Sequence, residues 1–505
     1  MNKIKNKLIT AFALVALTLT GCSDWLDVSP RSSIDGDNLL TSEEGYKQAL
    51  TGVYTLMAKT DLYGEATSMI LPEALAQHWT KTPGVTNSKE ILIYNLNNYN
   101  YTYSTVETYL ETIWKSYYKS IVQLNDVLGN IDETSVKFSN QNKELIKGEA
   151  FGLRAFLHLD ILRLWGPLPS ANGSTIAIPY VREMTNDVSE LVSVSFDEVV
   201  ARILADLDEA EEILGKYDPL TKYSNDILND RTHIGSKGPN DDWHFLRQGR
   251  FNYYAVLGTK ARLYMWIGDK TNAGKYAKKV IEAVNSDNSS KFSLASTSYM
   301  TTDLSKMTYV FFCEHLFGVH TTSMATNAQT LFWDGTPPRL SNLSSQMEQV
   351  FSESTTSDIR YTGSGIWTNS EINSSNYALC RKYLGATYLS SNTTFNNRTP
   401  LLRLAEMYLI LLESLSLEEV KATTYLTDYV SSRGMTASLV DVAVESEEAL
   451  ARQLEKEYRK EFFAEGQMFY YYKRHETTAF SWPSATIVNP ASFVLPKPDT
   501  QIKFE

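Results

Sequence analysis

Apolar residues recur at spacings of three and four along much of this 505-residue chain, and that periodicity restricts it to a fold of packed helices. Phe196, Val199, Ile203, Leu207, Ala210 and Ile213 keep the spacing through one stretch. Asp197, Glu198, Asp206 and Asp208 occupy much of the opposite face, so an amphipathic helix is predicted over 195–214. Ile113, Tyr117, Ile121, Leu124 and Leu128 form a second stripe, and further helices are expected near 43–58, 141–164, 250–267, 271–285, 401–414 and 446–473. Between them lie Ser-, Thr-, Asn- and Gly-rich stretches at 79–104, 216–249, 286–345 and 352–399. Loops this long are usually functional or carry small strands. No low-complexity linker divides the chain, so a single folded unit is expected from residue 40 onward.

Gly268 and Asp269 interrupt two of the helices, with small Ala255 and Ala261 where helices can approach closely. This helix, turn, helix unit is similar to a tetratricopeptide repeat, although no exact repeat is visible. The chain begins with Lys3, Lys5 and Lys7 ahead of an apolar run from Leu8 to Leu19, too short to span a bilayer, which reads as a secretory signal over 1–21. Leu19, Thr20, Gly21 and Cys22 resemble a bacterial lipobox, which implies a lipid on Cys22 and a tether over 22–39. No later segment has the length of apolar sequence that a spanning helix needs, so the rest is expected to be water-soluble.

The formal net charge is −12, and the leader holds three lysines and no acid, so the remainder is more acidic still. Such a surface argues against nucleic acid or anionic lipid as a direct partner. Cys313 and Cys380 either pair in an oxidising compartment or stand as buried thiols. The skewed figure is the aromatic share of 12%, with 30 Tyr and 9 Trp against 7 His.

Gly148 to Pro167, GEAFGLRAFLHLDILRLWGP, closely resembles a signature of the SusD/RagB family. Pro400 to Ser414, PLLRLAEMYLILLES, looks like its second signature, with Ser414 replacing a usual alanine. Leu454 to Arg474 is similar to its last helix, although Tyr458, Met468 and Tyr471 stand where the family commonly has Arg, Arg and Asp. LPKPDTQI, from Leu495 to Ile502, fits its closing motif. The resemblance implies a mainly α, SusD-like helical fold with four tetratricopeptide-like helix pairs and long loops carrying minor strands. It also implies an N-terminal part over about 40–230 and a C-terminal RagB/SusD part over about 250–505. The implied role is a surface-exposed outer-membrane lipoprotein that binds oligosaccharides and hands them to a SusC-like, TonB-dependent transporter. Two alternatives keep the fold: an oligopeptide cargo, or a mainly structural lid on the transporter. Glu149, Arg154, Arg403 and Glu406 sit among apolar neighbours at helical spacing, which predicts buried charge pairs that hold helices in register.

Catalytic constellations fail on spacing, so no enzyme, metal or cofactor is expected. His475, Glu476, Thr477, Thr478 and Ala479 lack the second histidine of a zinc-protease helix. Gly268 to Tyr276, GDKTNAGKY, departs from a phosphate loop by one residue and by Tyr276 at the magnesium position. No Gly-x-Ser-x-Gly elbow occurs, and His315 and His320 are not spaced for one helical face.

A sugar site needs aromatic faces for C–H patches and uncharged groups that donate and accept hydrogen bonds. Tyr94 to Tyr103, YNLNNYNYTY, concentrates that chemistry, so Tyr99, Asn100 and Tyr101 are candidates together with Trp79 upstream. The same run also reads as a strand with Tyr99, Tyr101 and Tyr103 on one face. Trp333 and Trp367, near Phe332 and Tyr361, are the candidates of the middle loops. Tyr470, Tyr471 and Tyr472 continue a helix with Phe462, Phe463 and Phe469 and are assigned to packing.

Overall fold

The computed structural model describes residues 39–79, 87–185, 191–301, 309–335, 339–361, 366–384, 397–480, 482, 486–503 and 505; the leader, Cys22 and the tether up to residue 38 lie outside them. Several helices start where a short polar side chain takes over a free backbone N–H. Ser42 opens α1 (Glu43–Met57) by accepting from the Gly45 N–H at 3.1 Å. After short α2 (Leu71–Leu75), Asn87 opens α3 (Ser88–Asn97), and α4 (Ser104–Ile131) and α5 (Asn142–Trp165) follow. Ser195 caps α6 (Phe196–Tyr217), Asn252 caps α7 (Tyr253–Trp266) and Asp269 caps α8 (Lys270–Ile281).

The middle of the chain carries the strands. β1 (His315–His320) is followed by α9 (Met324–Phe332), β2 (Asn342–Leu343), α10 (Ser344–Val350), β3 (Trp367–Ile372), β4 (Ser375–Cys380) and β5 (Arg398–Arg403). β1 and β5 form an antiparallel ribbon, and β2, β4 and β3 form a second small sheet in that order. Among the helices that follow are α11 (Leu404–Ser414), α12 (Glu447–Glu461) and α13 (Gln467–Arg474).

The helices stack as a row: α1 on α4, α4 on α5, α5 on α6, α6 on α7, α7 on α8, α8 on α11 and α11 on α12. Gly268, at φ +80°, makes the turn between α7 and α8, and Ala255 and Ala261 are fully buried on α7. One apolar cluster runs from Tyr46 to Leu495 through all of these layers.

The charged signature residues lie inside that cluster, each joined to a different element. Arg154 clamps Asp206 of α6 at 2.6 and 2.8 Å and reaches Asn125 of α4 at 2.9 Å. Glu149 accepts from Arg247, from the Tyr54 hydroxyl of α1 at 2.6 Å and from Arg250 at 3.3 Å. Glu406 accepts from Arg262 of α7 at 2.6 and 2.7 Å. Arg403 donates to Glu314 (2.8 Å), Glu461 (2.7 Å) and Glu465 (2.8 Å), and Arg433 holds Glu314 and Glu461 at 2.9 Å each. At the positions that depart from the family pattern, Tyr458 and Tyr471 pack with ring centroids 4.6 Å apart, and Met468 is fully buried. Aromatic and apolar packing has replaced charge there. Lys473 has no carboxylate but donates to the Leu164 and Gly166 carbonyls at 3.0 and 2.9 Å, which closes the end of α5.

Three expectations need correction. Residues 94–103 are not a strand: α3 runs to Asn97, and Tyr99, at φ +55°, turns the chain into α4. The 401–414 helix starts only at Leu404. Its first residues belong to β5, an edge strand that tolerates Pro400 because β1 is its only partner among the described residues. The 446–473 helix is two helices, broken at Gly466 in the left-handed region at φ +75°. Of the two alternatives for the remaining cysteines the structure has separate thiols at Cys313 and Cys380, and burial pushes the Cys380 thiol up to about 12.

Glu461 sits between Arg433, Arg403 and Arg360 and is fully buried. Burial alone would raise its carboxyl; the three guanidinium groups hold it well below the ordinary value of 4.5 instead. Glu461→Gln leaves three buried cations short of a partner and is expected to cost about 3–5 kcal/mol in urea unfolding at pH 7. Because the folded-state value is lowered, this contribution is complete above about pH 4.5 and is lost as the pH falls toward the folded value. The gap between wild type and variant therefore narrows on acidification, and a gap independent of pH would rule out this account.

Candidate functional site

Segment 71–79 ties the two groups of candidate residues together. α2 ends at Leu75, whose carbonyl accepts from the Tyr99 hydroxyl at 2.7 Å, and Gln77 donates to the Asn97 carbonyl at 3.1 Å. Two residues further on, the Trp79 indole N–H donates to buried Glu73 at 3.0 Å. Glu73 also accepts from the Ala464 and Gly466 N–H groups at 2.9 Å each, so the turn before α13 is pinned to the same carboxylate.

Trp79, Trp333 and Trp367 converge. The Trp79 ring lies 5.1 Å from Phe332, 6.0 Å from Trp367 and 5.7 Å from Phe463, and Trp482 lies 5.9 Å from Phe463. Trp367 pairs in register with Cys380, whose carbonyl accepts from the Trp333 indole N–H at 3.0 Å. Trp79 and Trp367 are interior, at 2% and 8% exposure, whereas Trp333 is half-buried beside exposed Asp334 and Gly335. Of the three, Trp333 is the least buried.

Tyr99, Asn100 and Tyr101 form the turn between α3 and α4. Both rings are half-buried, and the Tyr101 hydroxyl donates to the Ser492 carbonyl at 2.6 Å. Burial pushes both phenols well up, so they stay protonated donors. Exposed Asn100 is tied to Asn95 at 2.8 Å. Tyr99 holds a left-handed backbone, costly for an aromatic residue, because its ring packs against Phe493 and its hydroxyl is taken by Leu75.

The sequence reading missed a groove next to this turn. Leu92, Ser104, Thr105, Thr108, Tyr109 and Thr112 line about 420 Å³ between α3 and the start of α4. That volume lies within the usual range for small-molecule sites. The lining is hydroxyls, one aliphatic side chain and one aromatic ring, with no charge, and it suits an uncharged polyhydroxylated ligand. The signal was present as Ser104, Thr108 and Thr112 four residues apart, which puts three hydroxyl groups on one helix face. Exposed Tyr103 directly precedes this stripe.

With this geometry in place, comparison with known proteins is informative. The family described as "Starch-binding associating with outer membrane" matches residues 24–226, and the SusD family matches residues 258–493. SusD-like protein P25 of Formosa agariphila is 22% identical over 52% of this chain and 43% of its own length. SusD-like protein P38 of the same organism is 28% identical over 42% of this chain and 39% of its own length. The chain thus spans less than half of these relatives. A SusD superfamily protein from Bacteroides thetaiotaomicron superposes with a TM-score of 0.66 at 20% identity, covering 92% of this chain and 98% of that one. A SusD-like carbohydrate binding protein from Bacteroides vulgatus gives 0.65 at 17% identity, covering 92% and 96%. The fold is mainly helical with small sheets, as in these SusD superfamily structures. The chain belongs to the SusD family, whose members are binding proteins.

The different burial of the tryptophans is testable in stability. Trp79→Ala, which empties a packed position, is expected to cost about 3–5 kcal/mol in denaturant unfolding. Trp333→Ala is expected to cost well under that; equal losses would place Trp333 in the core and remove it as a ligand platform.

Proposed function

We propose that this chain is a non-enzymatic, surface-exposed outer-membrane lipoprotein that binds oligosaccharides and delivers them to a SusC-like, TonB-dependent transporter. The family match carries this reading, and the uncharged groove between α3 and α4 supplies chemistry that goes with it. Half-buried Trp333 is the tryptophan assigned to ligand contact, while Trp79 and Trp367 build the aromatic floor next to it. Tyr99, Asn100 and Tyr101 shape the turn that leads to the groove. Cys22 would carry the lipid that holds the protein at the membrane. No helix among the described residues is long and apolar enough to cross a membrane.

Calorimetric titration against a panel of oligosaccharides and peptide mixtures tests the cargo. Saturable glycan binding is expected, with affinity reduced at least about tenfold by Trp333→Ala or by Tyr109→Ala. Peptide binding alone would replace the cargo. No binding to either, with uptake still dependent on the protein, would favour a structural lid on the transporter.

The anchor has its own test. Cys22→Ser is expected to release the protein from the outer-membrane fraction into the soluble one, and continued membrane association of that variant would refute lipid anchoring at Cys22.

A further inference from the structure

Every buried arginine among the described residues forms an ion pair with a carboxylate, except Arg398. Arg398 opens β5 at 3% exposure, and its Nε and Nη1 atoms are buried without a hydrogen-bond partner. The Phe312 ring lies 5.2 Å from the guanidinium carbon, a weak substitute for a counter-ion. The fold makes room for it: a Cβ on Gly249 would fall 2.2 Å from Arg398 Nη1. Across the β1–β5 ribbon, Arg398 stands in register with exposed His320, so the two side chains share a face. No carboxylate among the described residues lowers the cost of the charge, and burial pushes the guanidinium down to about 10.

A lone buried guanidinium is among the more costly features a fold can keep, and sequences elsewhere in this chain consistently avoid it. The missing partner is an anion, and a guanidinium is shaped to take a carboxylate or sulfate oxygen. We propose that the Arg398–His320 end of the β1–β5 ribbon receives an anionic group, carboxylate or sulfate, carried by a bound sugar. The site shares no lining residue with the α3–α4 groove, so failure of either assignment leaves the other standing.

The test uses the full chain in detergent, titrated with glucuronate, a sulfated hexose, glucose, and free acetate and sulfate. Saturable binding of the acidic sugars is expected, absent with glucose and reduced at least about tenfold by Arg398→Gln. Arg182→Gln, at an exposed arginine, is the control and is expected to leave binding unchanged. Free anions binding as tightly as the acidic sugars would reduce the site to an ion site and overturn the sugar assignment. Acidic sugars that bind no better than glucose, or that bind Arg398→Gln as well as wild type, would overturn the proposal altogether. Should Arg398→Gln not fold, wild-type unfolding temperature decides: it is expected to rise with glucuronate and not with equal glucose, and identical behaviour sinks the idea. Neutral-oligosaccharide binding retained in Arg398→Gln would show that the groove acts independently.

Discussion

The buried charge cluster around Arg403 is the constraint on which the rest of the molecule depends. Arg403 closes β5 and starts α11, Glu461 ends α12, Glu314 precedes β1, and Arg433 lies between α11 and α12. Each charge is almost fully out of water, so each is tolerable only while the others stay in place. Replacing such clusters by apolar side chains is often neutral in stability, whereas breaking one partner is costly. The contribution is therefore geometric: a one-residue slip of β5 on β1 would strand Arg403 without carboxylates and turn its side chain to the other face. Arg154–Asp206, Glu149–Arg247 and Glu406–Arg262 repeat the device along the row, each bridging helices from separate layers.

Glu73 extends the same logic to the candidate site. One buried carboxylate accepts from the Trp79 and His78 side chains and from two backbone N–H groups in the turn before α13. Residues nearly four hundred apart in sequence are thereby fixed at one point. Phe463, in the same turn, packs on His78, Trp79, Trp367 and Trp482, so the aromatic floor near Trp333 forms only when both ends of the chain have folded.

The helical row was legible because amphipathic spacing is local information. Phe196 to Ile213 needed no tertiary knowledge, and α6 lies where its stripe predicts. Helix ends decided by long-range pairing were not legible. Leu401 and Leu402 continue the periodicity of α11 but lie in β5, where Leu402 pairs with Phe317 of β1, and Gly466 breaks α12 from α13 at the turn that Glu73 holds. The tryptophan candidates were legible as a group and not individually. Nothing local separates Trp79, whose N–H finds a carboxylate, from Trp333, whose N–H finds a strand carbonyl at the edge of the cluster. The hydroxyl stripe of α4 was overlooked because Ser and Thr at helical spacing also describe an ordinary solvated face.

Which aromatic residues can meet a ligand follows from what each already does. Trp79 has its N–H on Glu73 and its ring against Phe332, Trp367 and Phe463, so a sugar could reach it only by displacing core. Tyr470, Tyr471 and Tyr472 are buried along α13, and Tyr361 is stacked on Phe351 at 4.8 Å. Most of the high aromatic share is thus structural. It lets a long row of helices with irregular insertions fill space with rigid rings that lose little rotamer entropy. Less buried, among the described residues, are Tyr94 and Tyr103 on the surface, half-buried Trp333 at the edge of the cluster, and the Tyr109 ring in its hydroxyl-lined groove. Because these flank a rigid floor instead of forming it, substitution at the rim leaves the core undisturbed. The same arrangement explains how one fold can carry 14–20% identical sequences with the helical row intact.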